Sequence, residues 1–150
     1  MYRLLEVTYT NGKESAALYD SFSNETELTA EFDTKMGAAI KADAYKAEYL
    51  LAFDDNCNIY AQDYHSKDAE ITLNPRLVWV TTTAEGATAN QSKEDNMSIL
   101  KGDFFSKRGS AKRNTDVKAI MLMCFNGKVV DIKDYWARPV EPVEPQEVEE

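Results

Sequence analysis

The sequence contains an internal duplication, in which residues 3–65 recur in diverged form as residues 76–136. Ten of the 31 positions from 24 to 54 are identical to the residue 72 positions later, with no gap. The flanking segments align at offsets of 73 and 71, so that Arg3-Leu4-Leu5 returns as Arg76-Leu77-Val78 and Asp63-Tyr64 returns as Asp134-Tyr135. Such a repeat sets the architecture, because both copies are expected to adopt the same supersecondary unit.

Local signals in the first copy predict two strands, a helix and two more strands. The segment Leu4 to Tyr9 is rich in β-branched and aromatic residues, and the Asn11-Gly12 pair after it is typical of a type I′ hairpin turn. Asn24, followed three residues later by Glu27, predicts a capped helix over about 25–42. Strands are predicted over 45–53 and 58–64.

The second copy follows the same plan, with Asn96 at the start of its helix and Asn126-Gly127 as a second candidate for a type I′ turn. We therefore predict an α+β fold made of a tandem ββαββ duplication, with antiparallel sheet, two helices and a pseudo-twofold axis. The expected organisation is a first repeat over 2–65, a linker over 66–75 and a second repeat over 76–137. An acidic tail rich in Pro and Glu follows over 138–150 and is expected to be disordered.

Each copy has about 60 residues, which is near the lower limit for burying an independent core, so we expect the two copies to share one. Either fused sheets or helices packed against each other would bury the large apolar side chains. These are Leu28, Phe32, Leu50, Phe53, Leu100, Phe104, Leu122 and Phe125. Gly37 and Gly109 stand at equivalent places inside the helices, which predicts that something packs closely there, because a helical glycine costs about 1 kcal/mol relative to alanine.

Charge is distributed unevenly along the chain, whose formal net charge is −9. Residues 1–70 carry −8, residues 71–137 carry +3 and residues 138–150 carry −4. The overall acidity argues against nucleic-acid binding, and the polarity between the halves favours head-to-tail association or a charged partner. No run of 18 apolar residues and no secretory signal is recognisable, so we expect no membrane span and a location in a virion or a bacterial host cytoplasm.

The residues that usually carry chemistry are few. His65 and Cys57 are the only histidine and one of only two cysteines, and no third group is recognisable that would orient them as a catalytic pair. The spacing of Cys57, Cys124 and His65 does not suit a zinc site. No pair of carboxylates is predicted in an apolar setting that would raise a pKa. We therefore predict no catalytic residue, no metal ligand and no cofactor.

One basic cluster lies on the second helix and is the candidate partner-binding site: Lys101, Lys107, Arg108, Lys112 and Arg113. Arg108 and Lys112 stand where the first repeat has Met36 and Ile40. One interpretation is a surface for an acidic partner, such as the acidic half of a neighbouring copy. The other is an ordinary solvated helix end, where cations near the C-terminus are favoured by the helix dipole.

The segments Thr8-Tyr9-Thr10-Asn11-Gly12-Lys13-Glu14-Ser15 and Phe32-Asp33-Thr34-Lys35-Met36-Gly37-Ala38-Ala39 resemble those of small uncharacterised proteins encoded by phages and prophages of gut bacteria. The resemblance implies a phage context but no activity. Our hypothesis is a non-enzymatic structural or protein-interaction component, associated with capsid or tail. The alternative is an acidic accessory protein that binds and inhibits a host defence or nucleic-acid-binding protein. Its partners would be phage structural proteins, a host protein or a second copy of the chain.

Overall fold

The computed structural model of the chain describes residues 1–140, which form two ββαββ units in tandem. This confirms the predicted fold class. The predicted disordered tail lies, from residue 141 onward, outside the described residues. The elements are β1 (Tyr2–Thr10), β2 (Lys13–Phe22), α1 (Glu25–Lys41), β3 (Tyr45–Asp54), β4 (Ile59–Ser66), β5 (Arg76–Thr83), β6 (Gly86–Lys93), α2 (Met97–Arg113), β7 (Val117–Phe125) and β8 (Val130–Ala137).

The strands form two separate antiparallel sheets, one from each repeat. Sheet one has the order β2-β1-β3-β4 and sheet two the order β6-β5-β7-β8. In each sheet the first and third strands of the unit lie side by side at the centre. Each helix connects an edge strand, β2 or β6, to a central strand, β3 or β7, and so crosses over β1 or β5. Of the two arrangements considered from the sequence, fused sheets are therefore excluded.

The two sheets pack face to face, and the helices cover the outer faces. Successive side chains of a strand point to opposite faces. Leu5 and Val7 of sheet one share a core with Val78 and Val80 of sheet two. Leu4 and Leu50, on the other face of sheet one, pack against α1, and Leu77 and Leu122 pack against α2. The layers are therefore α1, sheet one, sheet two and α2.

The expectation that the two helices pack against each other is also wrong, because both sheets lie between them. The cause is that β3 and β7 are apolar on both faces, so each must be covered twice, once by a helix and once by the other sheet. The apolar residues expected in the core are all buried, although in three clusters: Leu28, Phe32, Leu50, Phe53, Leu100, Phe104, Leu122 and Phe125.

An aromatic pair joins the repeats in the middle of the inter-sheet core. The rings of Tyr49 and Phe125 stack with centroids 4.0 Å apart and an interplanar angle of 25°. The Tyr49 hydroxyl donates to Oε1 of Gln62 at 3.1 Å, and the Val130 amide of the second repeat donates to the same oxygen at 3.2 Å. The core is therefore common to both repeats.

The two glycine-containing turns differ. Asn11 and Gly12 have φ angles of 52° and 77°, as a type I′ turn requires. In the β7–β8 turn only Gly127 has a positive φ, of 108°, and Oδ1 of Asn126 accepts hydrogen bonds from the Lys128 and Val129 amides. The prediction of a type I′ turn at Asn126-Gly127 is wrong, because the Asn126 side chain organises a longer turn.

The helical glycines do not mark close packing. A Cβ added at Gly37 would meet nothing within 4 Å, and one added at Gly109 would meet only the guanidinium of Arg113, at 3.2 Å. The prediction that another element approaches closely at these positions is wrong within the described structure.

Replacing Gly127 by alanine is expected to lower the free energy of unfolding by more than about 1 kcal/mol. The positive φ strains any side chain, and the added Cβ would lie 2.6 Å from the carbonyl oxygen of Leu73. Gly37→Ala is the control and should stabilise by up to about 1 kcal/mol, because helix propensity rises in open space. Urea unfolding measures both, and an equal effect of the two substitutions would contradict the argument.

Candidate functional site

The basic residues of α2 are engaged mainly with their own sheet. Lys101 Nζ lies 3.1 Å from Asp131 Oδ2, and Arg108 Nε lies 2.6 Å from Asp134 Oδ2. Both carboxylates belong to β8. Exposed pairs of this kind contribute about 0–1 kcal/mol each, so they orient α2 more than they stabilise it. They also neutralise two of the five predicted partner-binding cations.

The other three cations are not ion-paired within residues 1–140. Lys107 Nζ lies 4.1 Å from the centroid of the Trp79 ring on β5, and Lys112 Nζ lies 5.9 Å from that of Trp136 on β8. A guanidinium nitrogen of Arg113 donates to Ser110 Oγ at 3.5 Å. The predicted cluster is therefore divided: Lys107 faces β5, whereas Lys112 and Arg113 remain exposed at the end of the helix.

The outward side of α2 also carries two large apolar side chains. Phe105 is 58% exposed and Ile99 is 54% exposed. The equivalent residues of α1 are Asp33 and Glu27, which are ordinary residues for a solvated helix face. We define the α2 outer face as a set of six exposed residues: Ile99, Gly102, Phe105, Ser106, Lys112 and Arg113. The equivalent α1 outer face consists of Glu27, Ala30, Asp33, Thr34, Ile40 and Lys41.

Sequence reasoning missed Ile99 and Phe105 as site residues. The signal was available, since the alignment of the repeats places Ile99 opposite Glu27 and Phe105 opposite Asp33. What the sequence left ambiguous was the side of α2 that meets the sheet, because Phe104 and Phe105 are adjacent and only Phe104 is buried.

A second feature that the sequence did not predict is a pair of carboxyl groups under α1. Glu48 of β3 is 1% exposed and interacts with Glu6 of β1, while Lys35 of α1 lies 3.7 Å from Glu6 Oε1. Burial, followed by the hydrogen bond to Glu6 and its charge, raises the pKa of Glu48 to about 9, and Lys35 only partly offsets this. The expectation that no carboxylate pair has a raised pKa is wrong.

The proton on Glu48 is what makes this pair possible. Within residues 1–140, neither Glu48 oxygen has a donor group in hydrogen-bonding range. A proton on Glu48 itself supplies the missing donor and lets the carboxyl group bond to the Glu6 carboxylate. Glu48 is closed off from solvent beneath α1 in this conformation.

Stability is expected to fall as the pH rises from about 4.5 to about 9, the ordinary and the folded pKa of Glu48. In that window the folded protein keeps the proton that the unfolded chain releases, so rising pH favours unfolding by about 1 kcal/mol per pH unit. Glu48→Gln should remove this part of the slope, measured by urea unfolding at several pH values. Glu85→Gln in the exposed β5–β6 turn is the control, and an unchanged slope in Glu48→Gln would refute the assignment.

Cys57 and His65 are not brought together. Cys57 lies just before β4 and His65 near the end of that strand, which separates them by roughly 20 Å or more. Burial raises the pKa of the Cys57 thiol to about 11, so the nucleophilic thiolate is disfavoured. Cys57 and Cys124 are both buried and free.

The part of the chain that the structure describes contains no group of three or more His, Cys, Asp or Glu residues placed to hold a metal ion. None of its helices is both long and apolar enough to cross a bilayer.

Fold and surfaces together define a duplicated four-layer α+β protein, with one acidic and one amphipathic outer helix face. No protein-family model matches the chain, no curated protein matches it, and no solved structure matches it. Within the chain, each repeat is the natural reference for the other.

Proposed function

We propose that the protein is a non-enzymatic structural component that assembles with itself, the α2 outer face of one copy binding the α1 outer face of the next. The observation that carries the proposal is the exposure of Ile99 and Phe105 where the first repeat has Glu27 and Asp33. Single exposed apolar residues are common, but two on one helix face, bordered by cations, are typical of a binding surface.

The two faces are complementary when the helices are aligned antiparallel. Setting Phe105 opposite Thr34 brings Ile99 opposite Ile40 and Gly102 opposite Gly37. The same alignment brings Lys112 opposite Glu27. Ile99, Gly102 and Lys112 thus each meet a counterpart of matching character, and Phe105 packs on the side chain of Thr34. The paired glycines, of which Gly37 borders the α1 outer face, allow the two backbones to approach closely.

The layer order makes this contact propagate. Because α1 and α2 cover opposite outer faces, a copy bound through its α2 face still offers its α1 face to another copy. Such heterologous contacts do not build closed dimers. They build open stacks, or rings where the rotation from one copy to the next closes a circle. A structural role of this kind fits the phage context that the sequence resemblance implies, in a capsid- or tail-associated position.

The association is expected to be weak in dilute solution. Each face is one helix of 17 residues, about 25 Å long, and a single helix crossing buries less than the roughly 1,200–2,000 Å² of a stable specific interface. Assembly should therefore need high protein concentration or a surface that holds many copies.

Sedimentation velocity over a range of concentrations tests the proposal. The wild-type protein should show an average mass that rises above 16.9 kDa with concentration. The variant Ile99→Glu/Phe105→Asp, which restores the residues of the first repeat, should remain monomeric. Val129→Asp, at an exposed apolar residue of the β7–β8 turn, is the control and should assemble like the wild type. A wild-type protein that stays monomeric at millimolar concentration would overturn the proposal.

A charge exchange tests the pairing of α2 with α1. Glu27→Lys and Lys112→Glu should each weaken assembly about two- to fivefold, because each places like charges opposite each other. The double variant should recover most of that loss. If the contact joined two α2 faces, Glu27→Lys would have no effect.

The exposed acidic side chains in the first half of α1 support a second candidate function, the binding and inhibition of a basic host protein. Glu25, Glu27 and Asp33 are exposed along the first half of α1. Such binding should weaken steeply with salt. Neutralising these three residues should abolish it while leaving the fold intact, and binding that survives the neutralisation would count against this function.

A further inference from the structure

A cleft of about 370 Å³ opens between the second half of α2 and sheet two. Its floor is apolar, made by Val117 and Ile120 of β7, and Trp79 of β5 forms one wall. Lys107, Ser110 and Asn114 provide the polar rim on the helix side. The size lies within the range of small-molecule sites, and the lining combines an apolar floor with polar groups at the rim.

The duplication shows how the cleft differs from its counterpart in the first repeat. There the equivalent lysine, Lys35, lies 3.7 Å from both Glu6 and Glu31, and Glu48 lies beneath it. In the second repeat Glu6 is replaced by Trp79 and Glu48 by Ile120. Both repeats have the lysine, whereas the two carboxylates beneath the helix of the first repeat correspond to apolar side chains in the second.

Lys107 consequently forms no ion pair with a carboxylate of residues 1–140. Its ammonium lies over the Trp79 ring, and Asp103, the counterpart of Glu31, forms no ion pair with it. Cation–π contact stabilises the ammonium but leaves its N–H donors available for an anion. Asn114 Oδ1 accepts from the Asp116 amide, so its side-chain amide group can also donate.

We infer that this cleft binds a small organic monocarboxylate, whose apolar body lies on Val117 and Ile120 and whose carboxylate is the counter-ion of Lys107, as Glu6 is of Lys35 in the first repeat. A single ammonium with neutral donors suits one negative charge. A free phosphate would leave the apolar floor uncovered, and the single ammonium of Lys107 would not balance its two negative charges. A cavity of about 150 Å³ holds benzene, so the cleft has room for a bicyclic ring.

Calorimetric titration with 2-naphthoate, and with the uncharged 2-naphthamide, tests the inference. The carboxylate should bind in a saturable way and about tenfold more tightly than the amide, because a charge-assisted hydrogen bond is worth roughly 1.5–3 kcal/mol. Its addition should shift the indole N–H resonance of Trp79 more than that of Trp136. Equal binding of the two probes, or no saturable binding of naphthoate at millimolar concentration, would overturn the inference.

Three variants assign the binding to this cleft. Lys107→Gln should reduce naphthoate binding about tenfold, to the level of the amide, and Ile120→Glu, which restores the carboxyl group of the first repeat, should abolish it. Lys35→Gln removes the equivalent lysine of the first repeat and should leave binding unchanged. A loss of binding in Lys35→Gln, or none in Lys107→Gln, would place the site elsewhere. Unchanged amide spectra of the Lys107→Gln protein away from the cleft would show that the variant is folded.

Discussion

Replacing Phe125 by alanine is expected to lower the free energy of unfolding by about 3–5 kcal/mol, the usual cost of truncating a buried phenylalanine. The side chain is fully buried and stacks on Tyr49 of the other repeat. Because the inter-sheet core belongs to both sheets, the loss should weaken both repeats together. Native-state hydrogen exchange should therefore show similar decreases in protection for the amides of β1, in the first repeat, and of β7, in the second.

The matched control is Phe105→Ala, in the same repeat. Phe105 is exposed on the α2 outer face, so its truncation should change stability by no more than about 0.5 kcal/mol. If Phe125→Ala lowered protection in the second repeat only, the repeats would unfold independently and the shared core would not hold them together.

Removing the carboxylate of Glu14 is expected to cost about 3–5 kcal/mol, because a buried guanidinium would lose its counter-ion. Glu14 Oε2 lies 2.6 Å from a terminal nitrogen of Arg76, and both side chains are largely buried. Glu14 also accepts hydrogen bonds from the backbone and side-chain amides of Asn74. The pair therefore ties β2 of the first repeat to β5 and to the connection that precedes it. Urea unfolding of Glu14→Ala measures the loss.

The double variant Glu14→Met/Arg76→Met separates charge from packing. With both charges gone, no buried ion is left uncompensated, and most of the stability should return. Lys101→Ala, which breaks the exposed pair with Asp131, should cost no more than about 1 kcal/mol. A double variant as unstable as Glu14→Ala would assign the loss to the Asn74 contacts.

Local signals in the sequence were sufficient for the elements and their order. The Asn24 cap, the Asn11-Gly12 turn and the β-branched and aromatic residues of β1 act over a few residues, and the cap, the turn and the strand are all seen in the structure. The packing of the sheets was not predictable in the same way. Because β3 and β7 are apolar on both faces, their pattern does not say which face meets a helix and which meets a sheet.

The candidate sites could not be predicted in full, because they depend on the register between strands and on the direction in which side chains point. Glu48 stands in an apolar strand, but its proximity to Glu6 follows only from the pairing of β3 with β1, which sets Leu50 opposite Glu6. The cations of α2 were identified from sequence, whereas their neutralisation by Asp131 and Asp134 requires the position of β8 beneath the helix. Trp79 was predicted as a strand residue, and its place beside Lys107 depends on the crossing of α2 over β5.

The ion pair between Glu14 and Arg76 has no counterpart related by exchange of the two repeats. Arg3 is the counterpart of Arg76, but the counterpart of Glu14 is Ala87, and Arg3 is bound instead by Asp55 of its own repeat, at 2.6 Å. A dimer of identical chains would carry every interface substitution twice. Joining the copies in one chain removes that constraint, so each side of the interface can change alone. The same freedom allows one copy to have buried acids where the other has a tryptophan and an isoleucine. The two halves are therefore no longer interchangeable.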